Sequence, residues 1–220
     1  MSDRRPRHVR CPETLEPLFV EAERNLDSFF SELEQRPDVG EIRISGERYI
    51  LARAQTFSVQ LRAILEKEYG RLAAEKIVYN LGRAAGTKDA EFFMQRLGLE
   101  RGPDALSAGP VHFAHVGWAF VDIFPESNPT TDEDYYLVYD HPFSFEAHSY
   151  LEEGIVAGRP VCFMNAGYSS GWCEVAFGVE LVAKEISCRA RGDAKCIFVM
   201  AHASRINERV VEAKERYGLE

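Results

Sequence analysis

The chain has 220 residues, 45% of them hydrophobic, which is enough for one large domain with a real core. Its net charge of -9 argues against nucleic acid as a direct partner, since phosphate binding needs a basic face. No apolar run reaches the length of a membrane span and no signal-peptide pattern opens the chain, so a cytoplasmic protein with reduced thiols is expected.

Residues 1–12 carry the one basic cluster and read as a frayed tail. Over 13–33 the apolar residues Leu15, Leu18, Phe19, Ala22, Leu26, Phe29, Phe30 and Leu33 recur at three- and four-residue spacing, which predicts an amphipathic helix. Pro37 and Gly40 are expected to end it. Its aromatic surface needs cover, either from its own domain or from a second copy. A hairpin is expected at 41–51 around Ser45-Gly46. Thr56 opens a helix with Phe57, Leu61, Ile64, Leu65 and Tyr69 on one face. After Gly70 a second helix carries Leu72, Ala73, Ile77, Leu81, Ala84 and Ala85, and it or a third helix continues to Leu97. Gly82, Ala84, Ala85 and Gly86 suggest close backbone approach there. The same GRAAGT stretch lacks the Gly-Lys-Ser/Thr ending of a phosphate loop.

Residues 111–124, rich in Val, Phe, Trp and Ile, read as a long strand, followed by an acidic loop and a second strand over 135–140. A helix is expected at 145–153 and another from Pro160 through Cys162 to Phe177. Two strands, 179–186 and 195–200, are joined by a turn at Gly192, and Ser204 opens a terminal helix.

Four of the five cysteines lie between Pro160 and Met200. Cys188 and Cys196 flank a seven-residue loop between two strands, and Cys162 sits at a helix start, where the positive helix end favours a thiolate. Glu185 could complete three thiolates and a carboxylate, a closed tetrahedral set suited to a structural Zn2+. In a regular strand Glu185 and Cys188 would face opposite sides, so the strand must twist or end near Ser187. The alternative is that these are small buried hydrophobes. Cys173 is expected in its helix core and Cys11 in the tail, neither as a ligand.

Gly109-Pro110 followed by Gly117, SFEAHSYL (144–151), PVCFMNAGYSSGW (160–172) and KEISCRARGDAKC (184–196) resemble the N-terminal sensor domain of aromatic-catabolism activators of the XylR type, with its 4-vinyl-reductase domain. The resemblance covers about residues 40–200. It implies an α/β (α+β) fold with an antiparallel sheet packed by helices, a homodimer, and a small aromatic effector in a buried pocket beside a structural zinc. It places the zinc ligands on Cys162, Glu185, Cys188 and Cys196. In phenol-sensing members a histidine and a tryptophan hold the effector hydroxyl. Phe113 and His141 stand at those positions here, which implies a bulkier or more apolar ligand than phenol. His115, Tyr139, Tyr168 and Trp172 are further pocket candidates.

The expected organisation is a tail and dimerisation helix (1–40), a ligand-sensing domain (41–202) and a signalling helix (203–220). The whole is either free-standing or the input part of a longer regulator with a downstream output domain. Two other classes bear on the same residues. A protein-interaction module, like the vesicle-tethering subunits related to this fold, would fill the pocket with a lipid tail or core side chains. An enzyme is less favoured: there is no dinucleotide fingerprint, and Asp140, His141 and His148 have no nucleophile in an obvious motif with them.

Overall fold

The structure, a computed structural model, describes residues 5–219. Helix α1 (Glu16–Ser31) follows the predicted stripe, burying Phe19, Ala22, Leu26 and Phe29. It packs on α4 (Pro103–His115) of the same chain, so that face has its cover without a second copy. The expected frayed tail is corrected in part: Val9–Arg10 forms a short strand, β1, whose Val9 is buried in the core. Residues 1–4 lie outside the described part. The helix also ends earlier than Pro37 and Gly40 suggested. Leu33–Arg36 (β2) pairs antiparallel with Glu41–Ile44 (β3), which pairs with Glu47–Tyr49 (β4), making the expected hairpin a three-stranded meander.

A π-helical turn at Thr56–Gln60 leads into α2 (Leu61–Tyr69), and Gly70, at φ +77°, breaks the path into the long helix α3 (Arg71–Leu97). GRAAGT lies inside α3 and forms no loop. The predicted apolar faces are not the buried ones. Phe57, Ile64, Tyr69, Leu72, Ile77 and Leu81 are exposed, while α3 buries Ala74, Val78, Gly82, Gly86, Ala90 and Phe93. The cause is the partner of α3. Helix α6 (Phe163–Phe177) crosses it so closely that side chains larger than a hydrogen are excluded at four points. A Cβ on Gly82 or Gly86 would meet the Met164 or Tyr168 carbonyl oxygen at 2.1 Å, and one on Gly167 or Gly171 would meet the Tyr79 or Arg83 carbonyl at 1.9 or 2.1 Å. Glycine therefore marks the buried face, and the large residues are left outside.

The long strand expected over 111–124 is a second correction. Residues up to His115 belong to α4, and the strand is Val121–Ile123 (β5) alone. Every residue from Ala105 to Phe113 is buried, and a helix covered on all sides shows no helical period. The main sheet runs β1-β5-β6-β8-β7, with β6 at Tyr136–Asp140, β7 at Leu181–Ser187 and β8 at Ile197–His202. All its pairings are antiparallel except β1 with β5, so the sheet is mixed rather than purely antiparallel.

The central strands are buried on both faces. Leu137, Tyr139, Phe198 and Met200 point into the main core, while Val138, Ile197, Val199 and Ala201 point to a smaller one capped by α7 (Ile206–Tyr217). Helix α7 starts two residues after Ser204, whose hydroxyl instead meets His202 Nδ1 at 2.7 Å. Helix α5 (Phe145–Glu152) is capped by the Ser144 hydroxyl, which accepts the Ala147 N–H. Among the described residues no helix is long and apolar enough to cross a membrane.

Candidate functional site

Close packing of α3 on one side of α6 turns Tyr168 and Trp172, each next to a contact glycine, the other way. They form one wall of a cavity closed by Phe113 and Pro110 of α4 and by Tyr139 and His141 of β6 and its end. The cavity is small, about 30 Å³, and consists of narrow slots between rings. Ring centroids lie 4.4 Å apart for Phe113 and Tyr168, 5.7 Å for Phe113 and His141, and 5.1 Å for Tyr139 and His141.

Most polar atoms around it are already engaged. Trp172 Nε1 donates to the Ala105 carbonyl at 3.0 Å. The Tyr168 hydroxyl donates to Asp89 at 2.8 Å and lies 2.8 Å from His112 Nδ1. With its single proton committed to Asp89, that hydroxyl accepts from His112, which fixes the proton of the neutral ring on Nδ1. Burial holds His112 neutral, pushing its pKa down to about 3, and it raises that of Asp89. This Asp89–Tyr168–His112 chain was not anticipated. Asp89 reads as a solvated position on a helix, and nothing in the sequence ties it to a tyrosine 79 residues away.

His141 and the buried Tyr139 hydroxyl are the exceptions. His141 is fully buried, burial pushes its pKa down to about 3, and neither ring nitrogen has a hydrogen-bond partner. An unmade bond at a buried polar atom costs about 1–3 kcal/mol. His115 does not line the cavity; it turns toward α1, where Asp27 Oδ1 is 3.2 Å from its Nε2.

The second cluster forms where α6 begins. Cys162 is the residue before that helix, so Pro160 stands outside it. One extra residue in β7 between Glu185 and Ser187 makes a bulge, which brings Glu185 and Cys188 to one side despite their spacing. Cys162, Glu185, Cys188 and Cys196 then hold ligand atoms within 4.8 Å of one another. Two polar groups meet the sulfurs: the Arg189 N–H donates to Cys196 Sγ at 3.3 Å, and Ser144 Oγ lies 3.1 Å from Cys162 Sγ. Glu185 Oε2 accepts the Cys162 N–H, and its buried Oε1 has no partner. Burial pushes the Cys162 thiol and the Glu185 carboxyl well up. Hydrogen bonds from Cys162 and then Cys196 pull Cys188 down to about 2. Three sulfurs and an orphaned carboxyl oxygen converging on one another form a donor set that fits a divalent cation.

The corner is braced by residues outside the expected ligand set. Glu146 on α5, fully buried and pushed up to about 8 by that burial, accepts the N–H groups of Met164 and Asn165 at the start of α6. Asp140 accepts the Cys196 N–H at 2.9 Å, and the His141 N–H donates to the Cys196 carbonyl at 3.0 Å. Residues 140 and 141 thus join the cysteine corner to the cavity. The motif SFEAHSYL did signal Glu146, but as a helix residue rather than as a brace.

Two family models match successive parts of the chain: an activator of aromatic catabolism over 28–125, and a V4R domain over 147–201. The transcriptional regulatory protein XylR of Pseudomonas putida is 27% identical over 160 residues, which is 73% of this chain and 28% of that protein. The chain therefore spans little more than a quarter of this relative's length. The phenol-responsive sensory domain of the transcription activator PoxR, solved with phenol, superposes with a TM-score of 0.72 at 22% identity, over 89% of this chain and 95% of that one. A trafficking protein particle complex subunit 3 from Naegleria fowleri reaches a TM-score of only 0.48 at 14% identity, over 68% of this chain and 92% of that one, too low to carry an argument. With an activator-type first part, a V4R second part and a shared fold, the chain resembles the N-terminal sensor domain of aromatic-catabolism activators.

Proposed function

We propose that the chain is a sensory input domain that binds a small aromatic molecule in the cavity beside His141 and is not itself an enzyme. The observation that carries this is a buried, neutral imidazole with both nitrogens unpartnered, beside a buried Tyr139 hydroxyl that also lacks a partner, while the polar atoms of Tyr168 and Trp172 are engaged elsewhere. A ring with one hydroxyl or amine would satisfy His141, while the rest of its surface would meet Phe113, Tyr139, Tyr168 and Trp172. The slots are narrow, so entry requires α4 or β6 to shift. A ligand that prefers the shifted arrangement biases its population. Strand β8 lies beside β6 and carries α7 on its other face, which gives such a shift a path to an output domain or protein.

Cys162, Glu185, Cys188 and Cys196 would hold a structural Zn2+, which supplies a cross-link between α6 and the β7–β8 hairpin and no reactive position. The exposed pair Ile77 and Leu81, one turn apart on α3, offers a contact for a homodimer that α1 does not. An input domain of a transcriptional regulator would work in the cytoplasm.

Titration calorimetry with phenol, a larger hydroxylated aromatic and an unsubstituted aromatic hydrocarbon tests the ligand. The expected result is binding of a hydroxylated ring that His141→Phe weakens about tenfold or more, with hydrocarbon binding little changed, as loss of one hydrogen bond dictates. No heat with any of the three, or hydroxylated-ring binding unchanged in His141→Phe, would overturn the reading.

A further inference from the structure

Away from the cavity and the cysteine corner, the fold gathers three donors that are far apart in sequence. His8 precedes β1, Asp27 lies on α1 and His115 ends α4, and one ligand atom of each falls within 4.8 Å of the others. His115 Nε2 is 3.2 Å from Asp27 Oδ1, and His8 Nδ1 is 3.3 Å from Glu23 Oε1. Both nitrogens are shielded from water, yet neither makes a hydrogen bond. They stand at contact distance from carboxylate oxygens without the alignment that donation requires. That is the spacing of two ligands of one ion: atoms 2.0–2.1 Å from a tetrahedral zinc lie roughly 3.3 Å apart.

The rings are held in place without the help of a metal. His115 stacks on Phe30 at 4.4 Å and 3°, and its centroid is 4.8 Å from that of His8. His8 is fixed through its backbone: its N–H donates to Glu23 Oε1 at 2.6 Å, the Arg7 N–H donates to the same oxygen, and β1 pairs with β5 directly after it. Glu23 is itself buried on α1, one turn before Asp27. Asp27 keeps Oδ2 for Arg7, at 3.3 Å, and leaves Oδ1 on the histidine side.

We propose that His8, Asp27 and His115 form a second metal site, for a divalent transition-metal ion of the zinc class, with Glu23 orienting His8. Two imidazoles and one carboxylate select such an ion over Mg2+ and Ca2+, which take oxygen ligands, and over soft Cu+. An ion there clamps the segment before β1 and helix α1 onto the end of α4. Phe113 of α4 lines the cavity two residues before His115. The site is independent of any metal at the cysteines.

The test uses the purified chain, stripped with a chelator and titrated with Co2+. Cobalt on thiolates shows a sulfur-to-metal charge-transfer band, and cobalt on imidazole and carboxylate does not. The expected result is one equivalent per chain that lacks the band, absent in His8→Gln and in His115→Gln, and bound at least about tenfold more weakly by Asp27→Asn. This count can be read whether or not the cysteines load. Circular dichroism establishes that each variant is folded, and His8→Gln, altered outside the helices, serves if His115→Gln is not. Wild-type chain that takes up no band-free equivalent would overturn the site, as would folded His8→Gln that keeps its full affinity.

Discussion

The cysteine corner and the aromatic cavity sit on either side of residues 140 and 141, and they treat their polar atoms in opposite ways. In the corner, the Ser144 hydroxyl and the Arg189 N–H meet two of the sulfurs, Asp140 and Glu146 brace the backbone around them, and the donors converge on one point. In the cavity, Tyr168 and Trp172 turn their polar atoms outward to Asp89 and Ala105, and His141 is left with none. The first arrangement fixes geometry; the second leaves His141 and the neighbouring Tyr139 hydroxyl unmet in a largely apolar space. A rigid corner beside an unsatisfied cavity is what a sensor needs, because binding can move the cavity wall only against something that does not move.

The largest way to break this contrast is to remove the fixed side. Cys188→Ala deletes one of the three sulfurs that converge with Glu185. Structural zinc contributes about 10–16 kcal/mol to small zinc-dependent folds, far above the stability of a typical domain, so loss of the metal should lower the melting temperature sharply or leave the chain unfolded. Elemental analysis with a thermal melt checks it. An unchanged melt would mean the corner is ordinary packing.

The next effect tests the wall that the two sites share. Gly167→Ala would put a Cβ 1.9 Å from the Tyr79 carbonyl oxygen, backbone against backbone, with no flexible end to give way. Overpacking of this kind costs about 1–3 kcal/mol or more. Since Tyr168 follows Gly167, ligand affinity should fall together with stability. A urea denaturation curve and a binding titration on the same variant would show this. Full affinity in a destabilised protein would separate the wall from the cavity.

These four glycines also show how far the chain could be read from its letters. GRAAGT was legible as a place of close approach, because only a missing side chain permits it, whereas GYSSGW was read only for its aromatic residues. That the two stretches approach each other was not, since contact between helices separated by about eighty residues has no local signal. The apolar faces of α2 and α3 failed for the converse reason. Periodicity finds large apolar residues, and here the buried face is built from small ones, which leaves Ile64, Leu72 and Ile77 outside. Helix α4, buried all round, passed for a strand. The cysteine set was legible by type and spacing, but the bulge after Glu185 that makes it geometrically sound depends on the pairing with β8. The cluster of His8, Asp27 and His115 had no signal at all, because its first member was assigned to a tail.

A smaller effect sharpens the difference between engaged and unengaged histidines through pH. His112 has a folded-state pKa near 3 against an ordinary value of 6.5, so the unfolded chain binds its proton first. Its contribution to stability is complete above about pH 6.5 and is lost as pH falls through that value toward 3, at up to about 1.4 kcal/mol per pH unit. Carboxylates titrate over the lower part of the range, so the readout is the difference between wild type and His112→Asn. Urea midpoints at pH 7 and pH 5.5 should move apart by about that amount, with the wild type the more acid-sensitive. Parallel pH curves would mean that His112 is solvated or already charged in the folded state.

His141→Phe carries the smallest expected change in stability and the most informative sign. The replacement removes two buried nitrogens that bond to nothing and supplies a ring of similar shape in contact with Phe113, Tyr139 and Phe198. Deleting an unsatisfied group can stabilise by about 1 kcal/mol, within the range that such a group costs. The ligand-free variant should therefore melt at or slightly above the wild type while losing affinity for a hydroxylated ring. A histidine kept for the fold would give the opposite result, with stability and binding falling together. A histidine kept for a ligand costs the empty protein stability, and the variant that no longer senses is the one that should be easier to fold.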